Sequence, residues 1–208
     1  MTKKAKATDN NKMVSPLYTQ YTDEIRGELQ KEFGIKNPMQ VPKIEKVCIN
    51  VGMGSYLQKL GSKDFSFVEE NITRIAGQKP VVKKAKLSVS NFKLRAGQPV
   101  GVNVTLRDQA AYNFLYKLIN VVFPRVRDFR GVKRNIFDKD GNLSFGFNDH
   151  TVFPEAVVPE DSRRLHGVQV TIVTNSKEQE QNRRLLELFG FPFKKKFVPK
   201  AAEAPAES

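Results

Sequence analysis

The sequence predicts an α+β fold, a mainly antiparallel sheet with helices packed on one face and a polar face left open on the other. Three observations carry that prediction. Stretches with a helical stride alternate with short strand-like runs, but without the regular strand–helix–strand beat of a doubly wound parallel sheet. Three of the runs alternate between branched apolar residues and short polar ones, as in a sheet buried on one side only. Proline and glycine punctuate the segments where each period stops.

In chain order, residues 1–14 read as a flexible basic arm and residues 194–208 as a flexible tail of Lys, Ala, Pro and Glu. Neither has enough apolar side chains to repay the entropy of ordering. Residues 15–193 are expected to form one folded domain. Its first helix spans residues 17–33, with Leu17, Tyr21, Ile25, Leu29 and Phe33 at a four-residue stride, and Pro38 and Pro42 close it off. Residues 44–51 form a strand. Residues 64–76 form a second helix, ended by Gly77 and Pro80. Strands over 81–86 and 100–107 flank a turn-rich loop, 87–99. Asp108 is expected to cap a third helix that runs to Val122, ahead of Pro124. Asp140-Gly141 with Asn142 marks a hairpin turn, and 143–147 is one of its strands. A strand over 167–174 and a helix over 177–189, closed by Gly190, complete the domain.

Charge narrows the function. The chain has 208 residues and a net charge of +13, with an isoelectric point near 9.8. Between Asn71 and Arg107 stand eight basic side chains, from Arg74 and Lys79 through Lys83, Lys84, Lys86, Lys93 and Arg95 to Arg107, with no Asp or Glu. A long acid-free basic track suits a dense polyanion, of which nucleic acid is the commonest, and the alternative is a solvated basic face. No apolar run reaches 18 residues, so no membrane span is expected. The first residues resemble neither a secretory signal nor a transit peptide, which makes the cytoplasm the expected compartment. Cys48 is the only cysteine, excluding an internal disulfide and a cysteine-based zinc site.

The strands sharpen the reading. Val47, Ile49 and Val51 oppose Lys46, Cys48 and Asn50; Val100, Val102, Val104 and Leu106 oppose Gly101, Asn103, Thr105 and Arg107; Val168, Val170 and Ile172 oppose Gln169 and Thr171. Short hydrogen-bonding groups and glycines let another surface approach closely, whereas an ordinary wet face, the alternative, carries Lys and Glu on long stems. The face also lacks aromatic rings, which disfavours base stacking on the sheet and points to phosphate, ribose and 2′-hydroxyl contacts with structured RNA. The loop Ser88-Val89-Ser90-Asn91-Phe92-Lys93-Leu94-Arg95-Ala96-Gly97 either projects its apolar tip towards a partner or folds back on the core. A third cluster, Pro124-Arg125-Val126-Arg127-Asp128-Phe129-Arg130-Gly131, suits phosphate contact, with Asp128 expected to pair with a neighbouring Arg.

Catalytic signals are weak. Gly52-Met53-Gly54 opens like a dinucleotide loop, but Leu57 stands where the third glycine belongs. His150 and His166 have no metal-ligand spacing and are expected in structural or surface roles, with Cys48 a small packed thiol. No cofactor, metal or active site is expected.

Seven segments in order resemble one family: Met39-Gln40-Val41-Pro42, Ile49-Asn50-Val51-Gly52-Met53-Gly54, Ala76-Gly77-Gln78-Lys79-Pro80, Phe92-Lys93-Leu94-Arg95-Ala96-Gly97, Val104-Thr105-Leu106-Arg107, the 124–131 cluster and Phe189-Gly190-Phe191-Pro192-Phe193. Together they resemble protein five of the large ribosomal subunit, of bacterial type, over residues 16–195. The resemblance implies a non-catalytic, ribosome-bound protein. Its family binds 5S rRNA, helps attach it to 23S rRNA in the central protuberance among other proteins there, contacts P-site tRNA and bridges to small-subunit protein thirteen. By motif, the family's RNA-facing polar residues fall on Asn50, Gln78 and Thr105, and its tRNA-contacting loop on 88–97. With charge and strand faces added, the expected rRNA contacts are Lys46, Asn50, Gln78, Lys79, Lys83, Lys84, Asn103, Thr105, Arg107, Arg125, Arg127 and Arg130. The expected tRNA contacts are Ser88, Ser90, Asn91, Phe92, Lys93 and Arg95. Two other classes remain at this point: a general duplex binder outside the ribosome, and a nucleotide-dependent enzyme built on Gly52-Met53-Gly54.

Overall fold

Five strands form one antiparallel sheet in the order β2-β3-β1-β5-β4. They are β1, Ile44–Gly52; β2, Val81–Lys84; β3, Pro99–Arg107; β4, Leu143–Phe147; and β5, Val168–Thr174. The structure is a computed structural model and describes residues 15–54, 56, 65–92, 94–157 and 165–194. The expected arm 1–14, the tail beyond Lys194, Lys93 and the Leu57 of the dinucleotide comparison lie outside the described residues. Helix α1 (residues 16–32) joins Pro16–Gln20, a wider π turn over Tyr21–Ile25, and Arg26–Glu32. Helix α2 is Ser66–Ala76. Helix α3 (residues 108–125) joins Asp108–Lys117, a π turn over Leu118–Val122, and Phe123–Arg125. Helix α4 is Gln179–Leu188.

The two faces of the sheet differ as the alternation requires. Val47, Ile49, Val51, Val102, Val104, Leu106, Val168, Val170 and Ile172 point into the core, and none is more than 2% exposed. The helices cover this side, α1 contributing its whole four-residue stripe of Leu17, Tyr21, Ile25 and Leu29. Burying each such side chain is worth roughly 1.5–3 kcal/mol, so the inner face anchors the fold. Polar bonds then fix the elements. Tyr21 donates its hydroxyl to the carbonyl of Pro42 at 3.0 Å, tying α1 to the entry of β1. Lys117 Nζ donates to the Ile75 carbonyl at 2.7 Å and meets Glu155 at 3.0 Å, tying α3 to the end of α2.

The β4 end is built largely of phenylalanine. Buried Phe123 lies within 6 Å of Phe129, Phe145, Phe147 and Phe191, ring centre to ring centre. Val132 and Phe193 form a parallel bridge beside this cluster, with Lys194 donating its N–H to the Val132 carbonyl at 2.9 Å.

Several boundaries differ from expectation. Arg107, not Asp108, occupies the capping position of α3, and Asp108 begins the helix at a φ of +50° without a side-chain cap. Strand β3 runs straight into the helix, so Asp108 makes the turn itself. Strand β2 stops at Lys84, because a register shift between Lys83 and Lys84 ends the regular ladder. Asp140-Gly141 does turn the chain, with Asp138 Oδ1 accepting N–H bonds from Asp140 and Asn142. Its second arm is only a bridge at Phe137, however, and β4 makes its ladder with β5 instead.

Candidate nucleic-acid interface

Strand register lays the outward residues in rows across the sheet. One row runs Val81, Asn103, Asn50, Gln169, Gly146, so three carboxamides sit side by side on the three central strands. Neighbouring strands are about 4.8 Å apart, which gives this rung a reach of about 10 Å. Asn103 donates its side-chain N–H to Oδ1 of Asn50. That bond fixes both amides: Asn50 keeps its NH2 for an outside acceptor, and Asn103 its oxygen for an outside donor.

The next row is Thr105, Cys48, Thr171, Ser144. The Cys48 thiol is 3.9 Å from Thr105 Oγ1, and the Ser144 and Thr171 hydroxyls are 3.0 Å apart. On the other side of the amide rung, Lys83, Gly101 and Gly52 form a row with two glycines. A Cβ on Gly101 would stand 3.0 Å from the Val51 carbonyl oxygen, so the backbone there tolerates no larger residue without moving. The face is thus lined with short donors and acceptors, its middle nearly free of long side chains. Lys46 and Arg107 close it at one end as a cross-strand pair of like charge.

Charge pairing is one-sided. The ion pairs among the described residues are Arg74–Glu70, Lys117–Glu155, Arg134, Arg183 and Arg184 with Glu187, and Arg184–Glu32. All lie on helices, or join them to the loops beside them. Lys79, Lys83, Lys84, Lys86, Arg95 and Arg107 have no acidic partner there, and all six are exposed, on β2, at the end of β3 or in the turns around them. Arg74 is the exception in the acid-free track, held by Glu70 at 2.6 Å on α2. Gln78 is exposed between Gly77, whose φ is +68°, and buried Pro80, at the turn feeding β2.

The loop after β2 projects outward. Val89 and Leu94 pair through two backbone bonds of 3.0 and 3.1 Å, and Ser88 Oγ accepts the Ala96 N–H at 2.9 Å, so the loop carries its own scaffold. Ser90–Phe92 makes a single 3-10 turn at its tip. Phe92 is 68% exposed and Leu87 76%, so neither is spent on the core. Ser88, Ser90, Asn91 and Arg95 are exposed with them.

The expected residues therefore fall in three places. Lys46, Asn50, Asn103, Thr105, Arg107, Lys83 and Lys84 share the open face or its β2 edge, with Gln78 and Lys79 at the turn into that edge. The loop stands beyond them. Arg125, Arg127 and Arg130 lie at the opposite, β4 end, and so belong to no common patch with the lysines. Asp128 lacks the arginine partner expected for it: no cation among the described residues pairs with it, and its φ of +53° turns the chain instead. Gln169, Thr171, Ser144 and Gly146 complete the face and were not among the expected contacts. The alternation of β5 puts Gln169 and Thr171 on this face from sequence, whereas Leu-Ser-Phe-Gly-Phe of β4 is too brief to orient Ser144 and Gly146 before the strand's partner is known.

No other described site has the makings of a reaction centre. His150 and His166 are buried and stacked at 4.0 Å with an 8° tilt, a core pair. Met53 is fully buried, its N–H bonded to the Val100 carbonyl at 2.8 Å, so the Gly52-Met53-Gly54 turn is tied back into the sheet. Among the described residues no His, Cys, Asp and Glu cluster could hold a metal ion. No described helix is long and apolar enough to cross a membrane.

Comparison with known proteins agrees in both halves of the sheet. Residues 37–95 match the family described as Ribosomal protein L5, and residues 99–193 match the C-terminus of the same ribosomal family. The chain belongs to the ribosomal protein L5 family. It is similar to large ribosomal subunit protein uL5 of Thermosipho melanesiensis, 52% identical over 183 residues, covering 86% of this chain and 97% of that protein. The uL5 of Thermotoga maritima is 51% identical over 183 residues, with 86% and 96% covered. That of Wolinella succinogenes is 49% identical over 175 residues, with 84% and 94% covered. L5 proteins are structural parts of the large ribosomal subunit and not enzymes, which places the chain on the cytoplasmic ribosome with rRNA as partner.

Proposed function

We propose that the open sheet face binds 5S rRNA through its phosphates and riboses and helps attach it to 23S rRNA in the central protuberance. The observation that carries this reading is the Asn103–Asn50–Gln169 rung, flanked by glycines and hydroxyls on a face whose neighbouring lysines have no acidic partners. Hydrogen-bonding groups this short need a surface that comes close. A ribose–phosphate edge supplies acceptors for Asn50 and a 2′-hydroxyl donor for Asn103. Lys79, Lys83, Lys84 and Arg107 supply phosphate neutralisation around the rung, and Lys46 and Gln78 extend the contact at its margins. Arg125, Arg127 and Arg130 make a separate rRNA contact at the β4 end.

The projecting loop contacts the P-site tRNA through Ser88, Ser90, Asn91, Phe92, Lys93 and Arg95. The contact with small-subunit protein thirteen and with neighbouring central-protuberance proteins is carried over from the family alone. The single domain of residues 15–193, with a basic arm before and a tail after, remains part of the same reading.

Competition at fixed salt tests the central claim. Labelled 5S rRNA bound to the full chain should resist a large excess of an unrelated RNA duplex of the same length. Equal displacement by both would leave a general duplex binder and end the proposal.

A further inference from the structure

Between the end of α3 and strand β4 lies a cleft of about 540 Å³, within the size range of small-ligand sites. Phe129 and Phe145 line it, Phe145 half-buried. Phe129 stacks on buried Phe123 at 4.9 Å and 21°, so one of its faces is held by the core, and the ring also lines the cleft. Arg125 and Arg127 stand on the same lining, without an acidic partner among the described residues. Asn148 and Asp149 add hydrogen-bonding groups from the turn that follows β4.

We propose that this cleft holds one unpaired nucleotide of ribosomal RNA, its base on Phe129 and Phe145 and its phosphate on Arg125 and Arg127. The combination of flat apolar surface, unneutralised guanidinium groups and an amide beside them matches what a splayed-out nucleotide offers: a π face, a phosphate and a polar base edge. Asp149 belongs at the base-edge end, where a carboxylate accepts N–H groups, since beside the phosphate it would repel. An acidic peptide would satisfy the arginines too, but it is rRNA that membership of this family supplies. The site rests on rRNA being the partner, and not on the amide rung of the open sheet face, which is carried by β3, β1 and β5.

The test is a titration of the ¹⁵N-labelled full chain with AMP, with inorganic phosphate, and with an acidic peptide containing one phenylalanine. AMP should shift the amides of Phe129, Phe145 and Thr151 and saturate with a Kd on the order of 1 mM. Phosphate alone should leave the Phe145 amide in place. Phe129→Leu should weaken AMP binding about tenfold, the effect of losing one stacking contact, and Arg125→Gln with Arg127→Gln should do likewise. Both variants should leave the amides of β1 and β3 at their parent positions, which shows that the fold is intact. No shift with AMP, shifts confined to β1 and β3, or saturation by the peptide alone would overturn the proposal. Loss of 5S rRNA binding in the unaltered chain would count against the sheet-face reading only, since AMP would still report on the cleft.

Discussion

Asn50 shows how much one residue's role depends on its neighbour. Its side-chain oxygen is committed to Asn103, which decides that it faces outward as a donor. Asn50→Ala or Thr105→Ala should weaken 5S rRNA binding by about 1–3 kcal/mol, the cost of a partner left unpaired, with the salt slope unchanged. Lys83→Ala should instead lower that slope by about one unit, the signature of a phosphate contact. In a double-mutant cycle, Asn50→Ala and Asn103→Ala should be less than additive by at least ~0.5 kcal/mol, because each loss already frees the other amide to rotate. Strict additivity in filter-binding or fluorescence titrations would mean that the two amides act alone.

At the scale of elements, the β2–β3 loop and the histidine pair make opposite cases. The loop holds its shape by its own backbone bonds and spends little on the core, so Phe92→Ala should leave stability within about 0.5 kcal/mol of the parent. The same substitution should leave 5S rRNA affinity unchanged and lower tRNA crosslinking from the loop, if the loop's proposed partner is right. His150 is fully buried, its Nε2 3.2 Å from the Val157 carbonyl and its Nδ1 3.4 Å from the His166 backbone nitrogen. That pattern needs a neutral ring donating from Nε2 and accepting at Nδ1, and burial holds its pKa below the ordinary value. The unfolded chain therefore takes up a proton first as pH falls below about 6.5, and stability drops from there towards the lower folded value. Urea midpoints should be flat above about pH 7 and fall below about pH 6.5, with a shallower fall in His150→Gln. An equal fall in both would assign the acid sensitivity elsewhere.

Across the whole molecule, one sheet divides stability from recognition. Leu106 is 1% exposed on the inner face, and its neighbours in sequence, Thr105 and Arg107, point outward. Leu106→Ala should cost about 2–5 kcal/mol of unfolding free energy, yet leave RNA affinity of the folded fraction nearly unchanged. Thr105→Ala should do the reverse. Calorimetry paired with RNA titration below the unfolding range checks the pair. A large affinity loss in folded Leu106→Ala would show that the two faces are coupled.

The sequence by itself determined the class of fold, the identity of the inner face and the family. Strict alternation in β1, β3 and β5 leaves a strand no choice of which side to bury, and seven ordered motifs are specific where each alone is not. The acid-free track likewise exists before folding. Tertiary structure decided what lies beside what. Register alone aligned Asn103, Asn50 and Gln169, which are far apart in sequence, and register alone brought Ser144 and Gly146 of β4 onto the same face. It also put the arginines of 124–131 and the lysines of the track at opposite ends of the sheet. Alternation fixes the face of a strand, a local property of the pleat. Strand order and register come from how the helices and the phenylalanine cluster pack, and no single segment holds that information.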